Sequence, residues 1–321
     1  MWFNNIQIYN YQSNDIAFLA GILATEPMKP CPPHARFIYG WLPVVDDNLV
    51  QEIAGCSLIS LGKEERLLPA GVIRQKLDER VKVIETNEGR TMGRSEKSRL
   101  KEEIEFDLLP QSFCLQKPLL ALLDTKKNKL IINTASPTQS EQFISMLRKV
   151  VQNMAIEPIQ PKENLSALFA RFITHPETLP SGFELASDCL LISPDDEKKR
   201  VNCKGYELPA DEILTLLSQG LVPTEISLIW QERISLTLTQ ELTIKRLKCL
   251  DYLVDEFTDL KQLEEERQLK DAGLTLLSGE LRALISDIEA ALCEEKSEGI
   301  ENPVLPLSDQ LNSPSLNDTT L

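Results

Sequence analysis

Hydrophobic and polar positions along this chain change period several times, and each change predicts an element. Trp2–Tyr9 reads as a strand and Asp15–Thr25 as a helix, after which Pro27, Pro30, Pro32 and Pro33 break the chain into a loop. Cys56–Leu61 reads as a short buried strand. From Pro69 the period turns helical. Ile73, Leu77, Val81 and Ile84 recur on one face, with Arg74, Lys76, Arg80 and Lys82 on others. A turn around Gly89 and a cap at Ser95 open a second helix carrying Leu100, Ile104 and Leu108. The spacing therefore predicts a helical hairpin over Pro69–Leu109, each arm amphipathic with a narrow apolar stripe.

Beyond Pro110 the pattern returns to strands. Leu119–Leu123 and Leu130–Asn133 flank Asp124-Thr125-Lys126-Lys127-Asn128, a hairpin signature, and Pro137–Val151 is a helix with proline where its missing N–H costs nothing. A second unit begins near Glu163. It has a helix at Asn164–Phe172, strands near Phe183–Ile192 and Arg200–Cys203, and a helix at Ala210–Gln219. Three strands follow near Glu225–Trp230, Arg233–Leu238 and Leu242–Leu247, the first with half-buried alternation of Ile226, Leu228 and Trp230. Gly273–Leu292 is a long helix whose Leu274, Leu277, Leu281, Leu284 and Ile288 suit either a short coiled-coil seam or packing within the subunit. The Ser-, Asn-, Pro- and Glu-rich stretch 294–321 is expected to be disordered. The fold class this implies is α+β, with mixed sheets, a protruding helical hairpin and a C-terminal helical region. The domains would be 1–68 with 110–162, the hairpin 69–109, a second α+β domain at 163–293, and the tail.

Composition narrows the class. A chain of 321 residues with 42% hydrophobic and 26% charged residues suits a globular protein, and its longest apolar runs are too short to span a bilayer. The first residues carry no basic and apolar leader pattern, and seven cysteines stand singly with no C-x-x-C. Reduced thiols in a cytoplasm are the expectation. Catalytic motifs are missing: no phosphate-binding glycine loop, no H-E-x-x-H, and two histidines, His34 and His175, in proline-flanked loops. Asp46-Asp47 and Asp195-Asp196 read as solvated turn acids. No enzyme activity, cofactor or metal is expected.

The net charge of −15 opposes nucleic acid as a partner, but its distribution does not. Arg74–Lys101 holds nine basic residues against five acidic ones, adding Arg94, Lys97, Arg99 and Lys101 to the four on the first arm. Lys198, Lys199, Arg200 and Lys204 form a second cluster, and Lys245, Arg246 and Lys248 a third. These stripes suit a phosphate backbone; a protein–protein adaptor whose stripes are merely solvated is the alternative. By pattern alone Phe113, just past the hairpin, is a core aromatic.

Several segments together resemble the RdgC family of recombination-associated proteins. They are the opening WFNNI, Gly40-Trp41, EERLLPAGVIRQKLDERV from Glu64 to Val81, and EKSRLKEEI through LLPQSF from Glu96 to Phe113. LLALLDTKKNKLIINTAS at Leu119–Ser136, LRK at Leu147–Lys149, the stretch Ile226–Asp251, and LLSGELRALISDI at Leu276–Ile288 continue it in the same order. The resemblance implies horseshoe-shaped subunits that close as a homodimer into a ring around double-stranded DNA. It also implies no base specificity, restraint of RecA-promoted strand exchange, and a cytoplasmic, nucleoid-associated protein. It assigns the hairpin to the family's finger and Phe113 to its ring-closing aromatic. The arginine of the family's Leu-Leu-Pro-Arg-Ala-Phe motif is Gln111 here. A second segment of two lysines and a glutamine before an acidic-Leu pair corresponds to Lys204-Gly205-Tyr206 before Glu207-Leu208. Phe113, Gln111 and Tyr206 are thereby the expected dimer contacts.

Overall fold

The computed structural model describes residues 3–13, 18–251, 253–255 and 266–293. The expectations for Trp2, for the helix start at 15–17, and for the tail 294–321 lie outside the described residues. Two antiparallel sheets form the frame. The first is built from β1 (Gln7–Gln12), β2 (Phe37–Leu42), β3 (Val50–Ile53), β4 (Cys56–Leu67), β5 (Phe113–Asp124), β6 (Lys129–Ile132) and β7 (Ala155–Pro158). Its order is β2-β4-β5-β6-β1-β7, with β3 also on β4. The second contains β8 (Phe183–Ser193), β9 (Asp196–Cys203), β10 (Val222–Trp230), β11 (Ile234–Thr239) and β12 (Ile244–Cys249), ordered β12-β11-β10-β8-β9. The expected mixed sheets are not found among the described residues. There every strand pair is antiparallel, because neighbours are joined by hairpins or returns, and the one parallel contact is an isolated Pro27–Trp41 bridge.

Helices α1 (Leu19–Leu23) and α4 (Pro137–Val150) cover one side of the first sheet. There Phe143, Ile144 and Leu147 pack with Trp41, Leu61, Ala121 and Leu123, and Trp41 meets Phe143 edge-on at 5.5 Å. Its other side contributes Ile8, Leu58, Leu122 and Ile131 to a core shared with the second sheet. Helices α5 (Leu165–Thr174), α6 (Asp211–Ser218) and α7 (Glu266–Leu292) complete that core. Leu274, Leu277, Leu281, Leu284 and Ile288 of α7 are buried within the subunit, so intramolecular packing, not a coiled-coil seam, accounts for their spacing. Asn164 caps α5 by accepting the Ala167 N–H at 3.0 Å.

One buried carboxylate ties α7 to the first sheet. Asp124 is buried at the end of β5, accepts the Lys126 and Lys127 N–H groups at 2.9 and 3.2 Å, and receives Arg282 Nε at 2.5 Å. A buried charge is tolerable only when paired and hydrogen-bonded like this.

The hairpin stands as predicted, as α2 (Ala70–Glu88) and α3 (Arg94–Leu108). Its small core, Val81, Leu100 and Ile104 with Leu77, Ile84, Met92 and Leu108 around them, is separate from the other two. The expected Ser95 cap is corrected: Gly93 occupies the cap position, its N–H donated to the Glu96 carboxylate at 2.9 Å. Elsewhere the strand expected at Trp2–Tyr9 runs instead from Gln7. The strand expected at Cys56–Leu61 extends to Leu67, because β5 pairs with its whole length.

Candidate nucleic-acid interface

Three elements carry the expected cations, and their surroundings differ. On the hairpin, half of them are engaged by acids of the same hairpin. Lys76 meets Glu79 at 3.0 Å, Arg80 meets Asp107 at 3.0 Å and Glu103 at 3.5 Å, Lys97 meets Glu85 at 3.5 Å, and Lys101 meets Glu105 at 3.6 Å. Arg74, Lys82, Arg94 and Arg99 are exposed and make no ion pair with a described residue. Exposed pairs of this kind contribute about 0–1 kcal/mol, so a phosphate can exchange for the carboxylate at little cost.

The hairpin is anchored at its root. The Arg66 guanidinium donates to the carbonyls of Cys31 and Pro32 on one side and of Leu109 and Ser112 on the other. Arg36 pairs with Glu105, and His34 stacks on Phe106 at 4.2 Å. The loop 27–36 and the end of α3 are thereby held together, which fixes the direction of the two arms relative to the first sheet.

The cluster on β9 is placed differently. β9 is an edge strand, and Arg200 and Asn202 pair with Ile192 and Leu190 while Val201 and Cys203 pair with Leu191 and Cys189. Leu191, Cys189 and Cys203 are buried, so Arg200 lies on the opposite, outward face, while Lys198 and Lys199 fall in the irregular stretch before it. Lys198, Lys199, Arg200 and Lys204 are exposed and make no ion pair with a described residue. Among the expected basic clusters this one makes the fewest ion pairs with described residues.

The third cluster is largely tied down. Lys245 meets Glu225 at 2.7 Å, and Arg246 lies 3.6 Å from Glu225 and 3.7 Å from Asp188. Arg246 sits at φ +52° in a bulge, its N–H donated to Asn5 Oδ1 at 3.1 Å. Lys248 is exposed.

Of the expected dimer contacts, Gln111 and Phe113 flank the hairpin root, while Tyr206 belongs to the loop after β9, its N–H donated to Ser187 O at 3.0 Å. Phe113 is 85% exposed, which corrects the core reading that the apolar pattern alone suggested. The motif reading missed Lys63, Lys117, Gln139 and Gln142, which face one another across strands and a helix. Only the pairing of β4 with β5 brings the two lysines together, and no spacing along the chain signals it.

A family model described as "Putative exonuclease, RdgC" matches residues 1–295. The chain belongs to the RdgC family. Relatives named recombination-associated protein RdgC agree over most of their lengths. The protein of Psychromonas ingrahamii is 33% identical over 303 residues, 92% of this chain and 100% of its own length. That of Laribacter hongkongensis is 38% identical over 249 residues, covering 77% and 81%. That of Pseudomonas fluorescens (strain Pf0-1) is 33% identical over 284 residues, covering 86% and 92%. The matched region of the RdgC model takes in the hairpin, both sheets and α7. Among the described residues no helix is long and apolar enough to cross a membrane, and no three or more His, Cys, Asp or Glu side chains gather where they could hold a metal ion.

Proposed function

We propose that this protein binds double-stranded DNA without base specificity, closes with a second copy into a ring around it, and restrains RecA-promoted strand exchange in the nucleoid. Each subunit would be a horseshoe, with residues 69–109 as a finger on a central unit formed by 1–68 and 110–162, and 163–293 as the second unit. The observation that carries the binding reading is the exposed run Lys198-Lys199-Arg200, without an acidic partner among the described residues, in a chain of net charge −15. Exposed cations on an edge strand that make no ion pair with a described residue, in an otherwise acidic protein, suit a polyanion. The family's recombination-associated relatives support the same partner. No bond is broken in this role.

The test is retardation of random-sequence duplexes at several salt concentrations, with sedimentation of the free protein to measure dimerisation. Log affinity falls by roughly 0.9 per neutralised phosphate for each decade of salt. A salt-insensitive complex, one strongly preferred sequence, or no retardation overturns the reading. The family description favours a second activity, so the same duplexes, end-labelled and incubated with magnesium or manganese, are followed for release of nucleotides. Such release, abolished by no contaminant-removing step, would replace the binding role with a nuclease.

A further inference from the structure

A groove of about 520 Å³ lies between the β2–β4–β5 face and α4, and none of the basic clusters described above lines it. Its wall is one cross-strand row, Tyr39 opposite Lys63 opposite Lys117. Glu65 bridges the two ammonium groups, one on each carboxylate oxygen, at 2.6 Å from Lys63 and 2.7 Å from Lys117. Those two lysines hold its carboxyl down at about 2, so it is an anion at any working pH. It is the one acid among the lining residues, so two lysines and one glutamate leave the groove at +1.

The opposite wall comes from α4, and its amides are oriented by hydroxyl groups. Tyr39 donates its hydroxyl to Gln142 Oε1, and Thr134 donates to Gln139 Oε1 at 2.6 Å. Each glutamine therefore has its acceptor occupied and its NH₂ donors without a partner among the described residues. A primary amide offers two such donors, and each lysine carries three N–H groups of which Glu65 takes one. The groove thus presents donors almost exclusively, over a short apolar floor of Leu61 and Leu119. The ligand that matches is an acceptor-only oxyanion with several oxygens, and in a duplex-binding protein that is a backbone phosphate.

We propose that this groove holds an internal phosphate of the duplex backbone, which displaces Glu65 from Lys63 and Lys117 and accepts from Gln139 and Gln142. This rests on the duplex-binding reading above and adds a contact to it. β4 runs from Lys63 and Glu65 straight into α2, so the groove and the hairpin cations lie along one continuous segment. Glu65 then acts as an internal competitor, occupying the lysines until DNA arrives.

The test uses the full-length protein on a covalently closed circular duplex and on a linear, 5′-phosphorylated one. Lys63→Gln with Lys117→Gln should weaken binding to both several-fold and lower the salt slope by roughly 0.9 for the lost phosphate contact. Lys117 is well exposed, so Lys117→Gln alone, with a partial effect, guards against misfolding of the pair. Glu65→Gln should do the opposite and tighten binding, because both lysines are released. A merely structural Glu65 would give weaker binding instead, and that result overturns the proposal. So does wild-type affinity in the double lysine variant, or an effect confined to the linear duplex, which would assign the groove to a terminal phosphate. If the wild-type protein retards neither DNA, the duplex-binding reading fails first and takes the groove with it.

Discussion

Leu67 and Phe113 face each other on the last rung of the β4–β5 ladder, and both side chains lie in solvent, 44% and 85% exposed. Phe37 and Leu115 pair with Glu65 two residues along, on the same face, and are also exposed large apolar residues. Four such residues at one end of a sheet form a patch of the sort that marks an interaction surface. Under the ring-dimer proposal a second copy of the chain is its occupant. Phe113→Ser should therefore leave the melt of the isolated subunit unchanged while weakening the dimer. Aromatics at the centre of an interface often cost about 2 kcal/mol or more when truncated, which is at least tenfold in association. Sedimentation across a concentration series reads the effect; an unaltered dimer assigns the patch to another partner.

The hairpin's apolar side chains pack on one another and not on the two larger cores. Removing Leu77–Ile104 and joining the ends with a short flexible linker should leave a cooperative melt and weaker DNA binding. The Arg66 clamp on Leu109 and Ser112 survives this deletion, so the first sheet keeps its end. Circular dichroism melting and a gel shift decide it. Loss of cooperative unfolding would make the hairpin part of the core.

Both arms of that hairpin were legible because their burial follows a strict helical period, with little but their own partner to bury against. The same holds for α4, α5 and α7. Strand β2 was not, since Gly40 interrupts its apolar run and the strand exists because β4 pairs with its whole length. Four-residue β3 and β7 are too short to show a period. Phe113 misled the pattern reading because periodicity reports which residues are apolar, not which apolar residues the fold leaves in solvent. For the basic clusters, sequence located the cations but not their neutralisation. Lys76 with Glu79 is visible as helical spacing, whereas Arg80 with Asp107 needs two helices to meet.

Gly40 is the position where the fold leaves least room. A Cβ there would sit 2.5 Å from Met28 Cα and 2.9 Å from Pro27 O, while Met28 N–H donates to Trp41 O at 2.9 Å. Backbone cannot withdraw without breaking that bond. Gly40→Ala should cost about 1–3 kcal/mol, as overpacking does, and lower Tm by several degrees. A Tm equal to wild type would mean that the 26–28 segment is not held against β2.

Burial raises the thiol pKa of Cys189, which faces Cys203 directly across β8 and β9, and pushes that of Cys293 up to about 11. A raised acid pKa in the folded state means that the folded protein keeps its proton where the unfolded chain, near 9, loses it. The corresponding stability is complete below pH 9 and is lost as pH rises towards 11. Tm should thus fall progressively above about pH 9. Alkylation at neutral pH should modify the exposed Cys114 first and reach Cys189 and Cys293 only in denaturant, read by mass spectrometry of digests. Early modification of Cys189 would contradict the buried geometry.

Among the basic clusters, β9 should contribute most to DNA holding and β12 least. Lys198 and Arg200 are exposed on an edge strand and give up no ion pair with a described residue when a phosphate arrives. Lys245 and Arg246 must leave Glu225 and Asp188, and leaving them strands two carboxylates beside the DNA. Replacing Lys198, Lys199 and Arg200 with Ala should reduce the slope of log affinity against log salt by up to roughly 0.9 per residue that touches a phosphate. The side chains are solvent-exposed, so the melt should stay within about 0.5 kcal/mol of wild type. Lys245→Ala with Arg246→Ala should change the slope little and lower stability more, because it leaves Glu225 unpaired on a half-buried face. Gel shifts at four salt concentrations with both variants measure the contrast. Equal slopes for the two, or a steeper loss for the β12 pair, would move the main phosphate contact from the edge strand to the opposite side of the second sheet.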